Sequence, residues 1–185
     1  MANIGLGRAC GVLNSMLETH IELEVPIIKS VSYDELETTL TELDTGRISI
    51  VELGFHGDFG GSASLVFSPE SAAKLATVAA GEEITPTVLS AMHIETLNEI
   101  GNIVLNAVMG SFSNMMVSEL KYTLPNYSET LSADFGQKIK ANKRVIVLLL
   151  QTQFSAKEFD IKGHILLLFE VSSFKALVKA VDGLL

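Results

Sequence analysis

The chain repeats itself at a constant offset. When residues 1–26 are laid over residues 100–125, matching residues fall 99 positions apart. Asn3-Ile4 falls on Asn102-Ile103, and in each copy 22 residues separate the asparagine from a proline, Pro26 or Pro125. A segment that recurs in the same order predicts two similar structural units that pack against each other.

The match continues at an offset of 102, where the apolar run 65–67 falls on 167–169. We expect one domain, residues 1–185, made of two repeats at about 1–85 and 86–185. Each half reads as a helix, an extended segment containing proline, two apolar strands and a closing helix. The first expected helix ends at about Thr19. The other expected helices span about Ser68–Ala80, Thr85–Leu120 and Ser172–Leu184. The expected strand pairs are Arg47–Phe55 with Ser62–Phe67, and Arg144–Phe154 with Asp160–Phe169.

A glycine-rich segment, residues 56–61, joins the first strand pair. Its glycines can supply the positive φ angles that a tight hairpin requires. A phosphate-binding loop is the alternative, but the Gly-Lys-Ser/Thr ending of a P-loop is missing and no helix follows directly. The segment is therefore predicted to be a turn.

Hairpins combined with helices in both halves predict the fold class. We expect an α+β fold in which pseudo-twofold, duplicated α-β-β-α halves share one largely antiparallel sheet, with helices packed on it. The length of 185 residues and the apolar fraction of 48% are sufficient for a substantial hydrophobic core.

Composition excludes several classes of partner and compartment. The formal net charge of −9 argues against nucleic acid, whose phosphates need clustered cations. A single cysteine, Cys10, rules out an internal disulfide and favours the reducing cytoplasm. The longest apolar runs are far shorter than the roughly 20 residues that span a bilayer, so no membrane insertion is expected.

The segment Leu89–Leu120 combines a broad apolar face with a narrow polar line. The apolar positions include Met92, Leu97, Ile100, Ile103, Val104, Ala107, Val108, Phe112, Met115 and Met116. The polar line consists of Glu95, Glu99, Asn102 and Asn106, spaced four, three and four, which puts them on one side of a helix. The line is either the solvated side of an amphipathic helix or a surface that contacts a partner.

Two features favour the second interpretation. Asparagine is a mediocre helix former, yet it occurs at Asn98, Asn102, Asn106 and Asn114 of this helix. Gly101 costs about 1 kcal/mol relative to alanine in mid-helix, and it thins the surface there. We therefore expect a partner surface to dock at Gly101.

The string Glu95-x-x-x-Glu99-x-x-Asn102, followed after 22 residues by Pro125, resembles the active-site signature of the CheC/CheX/FliY phosphatases of bacterial and archaeal chemotaxis. In that signature an acidic or serine residue precedes Glu-x-x-Asn by four. The resemblance is closest to CheC-like proteins and extends over essentially the whole chain. A second frame, Glu95 with Asn98, lacks the proline, because Lys121 stands at the corresponding distance.

This resemblance implies a hydrolase that removes the phosphoryl group from the aspartate of a CheY-like response regulator. Asn102 would orient the attacking water and Glu99 would anchor the partner through a lysine, with Glu95 and Pro125 supporting the motif. The protein would need no cofactor of its own, because the resemblance places Mg²⁺ on the response regulator.

The first half-site is incomplete. It keeps Asn3 and Pro26, but the glutamate expected three residues before Asn3 would precede Met1. Divergence from catalysis and truncation both remain open as explanations. The incomplete half-site keeps a noncatalytic alternative open, in which the protein is an adaptor that binds phosphorylated CheY or a CheD-like deamidase.

No metal site is expected. The four histidines, His20, His56, His93 and His164, are scattered along the chain, and His93 and Glu95 do not face each other on a helix.

Overall fold

The structure, a computed structural model, describes residues 7, 10–15, 21–23, 27–30, 35–36, 38–40, 46–82, 89–115, 117–141, 145–156 and 161–170. The strands are β1 (Ile21–Leu23), β2 (Ile27–Ser30), β3 (Arg47–Gly57), β4 (Gly61–Phe67), β5 (Leu120–Tyr122), β6 (Asn126–Leu131), β7 (Val145–Ala156) and β8 (Ile161–Glu170). The helices are α1 (Pro69–Ala79), α2 (Ala91–Met115) and α3 (Ser132–Ala141). Residues 10–15, 35–36 and 38–40 are also helical.

The eight strands form one antiparallel sheet in the order β1-β7-β8-β4-β3-β5, with β2 also paired to β7 and β6 also paired to β3. The pairings exchange short strands between the two parts of the chain: β1 and β2 pair with β7, whereas β5 and β6 pair with β3. This mixture of helices and an antiparallel sheet confirms the predicted α+β fold class.

The strand register carries the offsets found in the sequence. Ile27 pairs with Gln151, and the residues 99 positions away from each, Asn126 and Glu52, also pair with each other. At the centre of the sheet Ser64 pairs with Leu166, its counterpart at the offset of 102. The offset of 99 still holds at the last residue of β7, since Ile21 pairs with Ala156 and the residues 99 positions away from each also pair. The three added positions therefore arise after β7, between Ala156 and the paired centre of β8.

The sheet is covered on both faces. One face packs against α1 and α2 through residues that include Val51, Leu53, Leu65, Phe67, Leu97, Val104 and Phe169. The other face packs against the helical residues 35–36 and 38–40 and against α3, through Leu36, Leu40, Ile48, Ile50, Val66, Phe135, Ile139, Leu166 and Leu168. The runs Leu65–Phe67 of β4 and Ile165–Phe169 of β8 are continuously apolar because they are buried on both faces of the sheet.

The predicted long strands agree with the structure to within two residues at each end. Ser68 begins α1 as its N-cap, where its hydroxyl accepts a hydrogen bond from the Ser71 backbone N–H. The glycine segment is the predicted turn, and Gly57 has a φ of +138°. Asp58 ties this turn to the start of β5, because its carboxylate accepts a hydrogen bond from the Glu119 backbone N–H at 2.8 Å.

Four sequence-based predictions need correction or cannot be compared. The α-β-β-α order omits α3 and the helical residues 35–36 and 38–40, which lie between the proline-containing segment and the long strands. The helix expected over Thr85–Leu120 begins at Ala91 and ends at Met115, and Leu120 starts β5. The first helix is described only in part, and the closing helix Ser172–Leu184 lies outside the described residues.

Gly101 faces the sheet and not a partner, so the docking prediction at this residue was wrong. Gly101 is buried, and a Cβ built on it would collide with Cγ1 of Val51 in β3. Its missing side chain lets the backbone of α2 lie close to the strand. The cost of glycine in the helix is therefore offset by close packing.

The start of α2 is held by reciprocal hydrogen bonds. The Ser90 hydroxyl accepts from the His93 backbone N–H at 3.2 Å, and His93 Nδ1 accepts from the Ser90 backbone N–H at 3.3 Å. This is the arrangement of a capping box, with histidine in the place of the usual glutamate. Nε2 of the same ring lies 3.1 Å from Glu82 Oε2, directly after α1. His93 therefore links the end of α1 to the start of α2.

The end of α2 carries backbone strain. Ser118 N–H bonds to the Ser113 carbonyl at 3.0 Å, the closing bond of a Schellman motif, and Val117 before it has a φ of +51°. The same position after α1 is occupied by Gly81, with a φ of +70°. A β-branched residue is unfavourable in this left-handed conformation, and Val117 is 87% exposed, so packing does not compensate.

We predict that Gly101→Ala destabilises the protein by about 1 to 3 kcal/mol, because the added methyl group overpacks the contact with Val51. The matched control is Gly110→Ala in the same helix, where nothing lies within 4 Å of a built Cβ. It should be neutral or stabilising by up to about 1 kcal/mol through helix propensity. Urea unfolding of both variants measures the difference, and equal effects would contradict the close-packing role of Gly101.

We predict that Val117→Gly stabilises the protein by about 1 kcal/mol, because glycine adopts the left-handed conformation without a Cβ clash. Val117→Ala keeps the Cβ and should gain much less. Thermal unfolding of the two variants beside the unsubstituted protein measures the effect. A melting temperature that is unchanged or lowered by the glycine would show that Val117 is not strained.

Candidate functional site

Four polar residues lie along one side of α2, as their spacing predicts. Glu95 and Glu99 are exposed, and Asn102 and Asn106 are half-buried. The opposite side of the helix, with Leu97, Ile100, Val104, Leu105 and Val108, is buried against the sheet. The helix therefore presents two carboxylates and two carboxamides in a row on its outer side.

The two carboxamides are joined. Asn106 Nδ2 donates a hydrogen bond to Asn102 Oδ1 at 2.6 Å. Residues four apart in a helix lie one turn apart on the same side, so the pair follows directly from the sequence spacing. In this hydrogen bond the carbonyl oxygen of Asn102, and not its NH₂ group, faces the following turn of the helix.

The two carboxylates have no cationic partner among the described residues. Glu95 and Glu99 are four positions apart, where like charges destabilise a helix by a few tenths of a kcal/mol. No ion pair with a described residue relieves this repulsion. A positive group brought by another molecule would therefore be attracted to this end of the polar line.

Apolar side chains border the polar line. Met92, which the sequence pattern assigned to the buried face, is 52% exposed, so that assignment was wrong. Met92 precedes Glu95 by three positions and Glu99 by seven, so it lies on the same side of the helix. Ile103, four positions after Glu99, is half-buried. Met92 therefore adds an exposed apolar group to the polar line, whereas Ile103 packs partly against the core.

Pro125 lies in the connection between β5 and β6, which is fixed to the strand under α2. Thr123 donates its backbone N–H to the Gly54 carbonyl at 2.9 Å and accepts the Gly54 N–H on Oγ1 at 2.8 Å. Gly101 of α2 packs on Val51 of the same strand, three residues or about 10 Å away. One strand therefore positions both the helix and the segment that carries Pro125. The neighbouring Leu124 is 87% exposed.

The strand that follows Pro125 is held by hydrogen bonds of the half-buried Tyr127 hydroxyl. Tyr127 donates to Glu129 Oε1 at 2.6 Å, and its hydroxyl lies 3.1 Å from Ser49 Oγ. Burial raises the pKa of Tyr127, and the hydrogen bond to Glu129 adds to the rise. The phenol therefore stays protonated near neutral pH and continues to donate. Tyr127 pairs with Val51, the residue on which Gly101 rests.

Asn3 and Pro26 lie outside the described residues, so the first half-site remains a prediction from sequence. Among the described residues, no three His, Cys, Asp or Glu side chains are grouped so that they could hold a metal ion. His93 is instead engaged with Ser90 and Glu82. None of the described helices has the length and apolar character needed to cross a bilayer.

Two grooves lie beside α3, away from the polar line. Both are lined by Glu52, Phe135 and Lys138, and no residue of α2 lines either one. The functional residues predicted from the sequence are thus displayed on the outer side of a helix. Such a display suits contact with the surface of a macromolecule better than enclosure of a small ligand.

Comparison with known proteins finds similarity to proteins of chemotaxis. No family model matches the chain. Its sequence is 23% identical to the CheY-P phosphatase CheC of Bacillus subtilis over 191 aligned positions, which cover 99% of this chain and 91% of that protein.

Solved structures share the fold. FliY from Thermotoga maritima superimposes with a TM-score of 0.69 at 14% identity, covering 97% of this chain and 90% of that one. CheX from Borrelia burgdorferi, solved in a complex with CheY, BeF₃ and Mg²⁺, superimposes with a TM-score of 0.50 at 26% identity, covering 90% and 94%. The resemblance to CheC, CheX and FliY noted from the sequence is confirmed.

Proposed function

We propose that this protein is a cytoplasmic phosphatase of chemotaxis that hydrolyses the aspartyl phosphate of a CheY-like response regulator. The observation that carries the proposal is the position of Glu99 and Asn102, three residues apart on the outer side of α2. It is supported by similarity over nearly the whole chain to a CheY-P phosphatase. A relative solved in a complex with CheY supports the choice of partner.

The chemistry requires little from the phosphatase itself. An acyl phosphate is already reactive, so acceleration depends mainly on holding a water molecule in line with the phosphorus. In this proposal Mg²⁺ is held by the response regulator, where it neutralises phosphoryl charge. The face formed by Glu99 and Asn102 supplies only the position of the water and part of the docking contact.

Asn102 suits the water-orienting role because its amide is uncharged. A carboxylate at this position would repel the phosphoryl group, whereas an amide offers both donors and an acceptor without that repulsion. Asn102 is half-buried and hydrogen-bonded to Asn106, so its side chain is already ordered on the helix. Little conformational freedom is then lost when the partner docks.

Glu99 suits an anchoring role. It is exposed, it lacks a cation among the described residues and it faces repulsion from Glu95. A lysine of the response regulator would form a charge-assisted hydrogen bond with it and would relieve the repulsion. Met92 and Ile103, on either side along the helix, would add apolar contact.

We predict that Asn102→Ala lowers the rate of phosphate release from an acetyl-phosphate-charged CheY by at least about tenfold, because the water loses its orienting group. Its melting temperature should hardly change, because Asn102 lies outside the apolar core. Asn114→Ala, an exposed asparagine of the same helix, is the matched control and should retain full activity.

Two results would change the assignment. Full activity in Asn102→Ala with an unchanged melting temperature would move the chemistry to another part of the protein. Binding of phosphorylated CheY without any accelerated hydrolysis by the unsubstituted protein would favour the adaptor function, and the same binding assay with a CheD-like deamidase would test the other proposed adaptor partner.

We predict that Glu99→Ala weakens binding of the phosphorylated regulator by about three- to tenfold, the range expected for a partly exposed charge pair. Glu99→Gln should lose less, because a neutral amide still forms a hydrogen bond with lysine. Calorimetric titration with a regulator carrying BeF₃⁻ as a mimic of the phosphoryl group measures the affinities. Unaltered affinity in both variants, together with lost turnover, would instead assign a chemical role to the carboxylate.

A further inference from the structure

The side-chain amide of Asn102, which is proposed above to orient the attacking water, has a hydrogen-bond partner on the same helix. Asn106 Nδ2 donates to Asn102 Oδ1 at 2.6 Å, and both side chains are half-buried. We propose that Asn106 is a positioning residue. It holds the Asn102 amide in the orientation that aligns a water molecule for attack on the phosphorus. This inference rests on the proposed phosphatase function.

The direction of the hydrogen bond decides what Asn102 can offer. With Oδ1 turned toward Asn106, the NH₂ group of Asn102 is turned away from it. The carbonyl oxygen has two lone pairs, so one remains for a proton of the attacking water, while the NH₂ group can donate to the water or to a phosphoryl oxygen. The terminal torsion of asparagine is otherwise broad and roughly twofold. Without Asn106, the reversed amide would also be populated.

The hydrogen bond also changes the strength of the amide as a donor. Accepting a hydrogen bond on the carbonyl polarises the amide and strengthens its N–H groups as donors, an effect that grows when water is excluded. Docking of a response regulator on α2 would exclude water from this side of the helix. The contribution of Asn106 should therefore appear mainly in turnover and only weakly in affinity.

Helix stabilisation does not explain the pair. Asparagine is a poorer helix former than alanine, lysine or glutamate, and an i, i+4 side-chain hydrogen bond recovers only part of that difference. Two asparagines on consecutive turns therefore cost helix stability. A purely structural role would predict a loss of stability in Asn106→Ala, whereas the positioning role predicts a loss of turnover without one.

The kinetic experiment uses Asn106→Ala, Asn106→Gln and Asn106→Asp, with Asn114→Ala as the matched control. Phosphate release from an acetyl-phosphate-charged CheY gives kcat and KM for each variant. We expect Asn106→Ala to lower kcat about five- to tenfold with KM unchanged and the melting temperature equal to or above that of the unsubstituted protein. Asn106→Gln should recover part of the loss, because it retains a carboxamide donor that can reach one turn back.

The aspartate variant tests direction. Its carboxylate can only accept, so it should attract the NH₂ group of Asn102 and turn the amide over. It also adds negative charge near the phosphoryl group. We therefore expect a larger loss of kcat in Asn106→Asp than in Asn106→Ala, although the two side chains of asparagine and aspartate have nearly the same shape.

A spectroscopic measurement separates positioning from direct action. The side-chain NH₂ resonances of Asn102, assigned by their disappearance in Asn102→Ala, should shift in Asn106→Ala and stay in place in Asn114→Ala. Loss of kcat without a shift of these resonances would overturn the positioning role, because Asn106 would then act without Asn102.

The outcomes distinguish this inference from the function on which it rests. If the unsubstituted protein does not accelerate hydrolysis, the proposed function fails and the positioning role fails with it. If the unsubstituted protein is active, Asn102→Ala is inactive and Asn106→Ala keeps its kcat, only the positioning role is overturned. A lower kcat together with shifted Asn102 resonances supports the inference.

Discussion

The pairing of β4 with β8 is the contact on which the rest of the structure depends. It joins the two parts of the chain at the middle of the sheet, where Ser64 faces Leu166. Strand β3 is joined to this central pair through β4, and β7 is joined to it through β8. The outer strands then cross over, so that the segments around β1 and β5 each complete the sheet beside the long strand of the other part. The β3–β4 and β7–β8 pairings are local hairpins, whereas the pairings between the two parts link residues far apart in sequence. The complete sheet under α2 therefore forms only when both parts have folded.

The sequence predicted what local periodicity determines. The long strands were identifiable because they contain continuously apolar runs, such as Leu65–Phe67 and Ile165–Phe169, that are buried on both faces of the sheet. The turn between β3 and β4 was identifiable because glycines are concentrated there. Helix α3 was missed because only Phe135 and Ile139 of its ten residues are buried, which leaves almost no periodic signal. The crossing of the outer strands was equally invisible, because register and partner choice depend on distant residues.

Gly101 and Met92 show the same limit at the level of single residues. A mid-helix glycine can thin a helix toward solvent or toward the core, and only the position of Val51 in the folded sheet decides between them. Met92 was assigned to the apolar face, yet it lies on the same side of the helix as Glu95 and Glu99, and 52% of its side chain remains exposed. For the polar line, in contrast, spacing alone placed Glu95, Glu99, Asn102 and Asn106 on one side, because a helix converts sequence distance directly into direction. The spacing also contained the signal for the bond between Asn102 and Asn106, although the roles of these residues remain predictions.

The way in which α2 is held explains how a site could be built on one helix without an enclosing pocket. Gly101 on Val51 fixes the distance of the helix from the sheet, and Phe112 against Phe169, with ring centroids 5.2 Å apart, fixes its far half. The capping bonds of Ser90 and His93 then fix its start, which limits sliding along its axis. What remains free is the rotation of individual side chains, and for Asn102 the bond from Asn106 restricts that as well. In the proposed reaction the substrate would arrive with its own leaving group and metal, so positional control of one amide would be the main contribution required of this protein. A rigid helix seated on a sheet gives that control more accurately than a loop could.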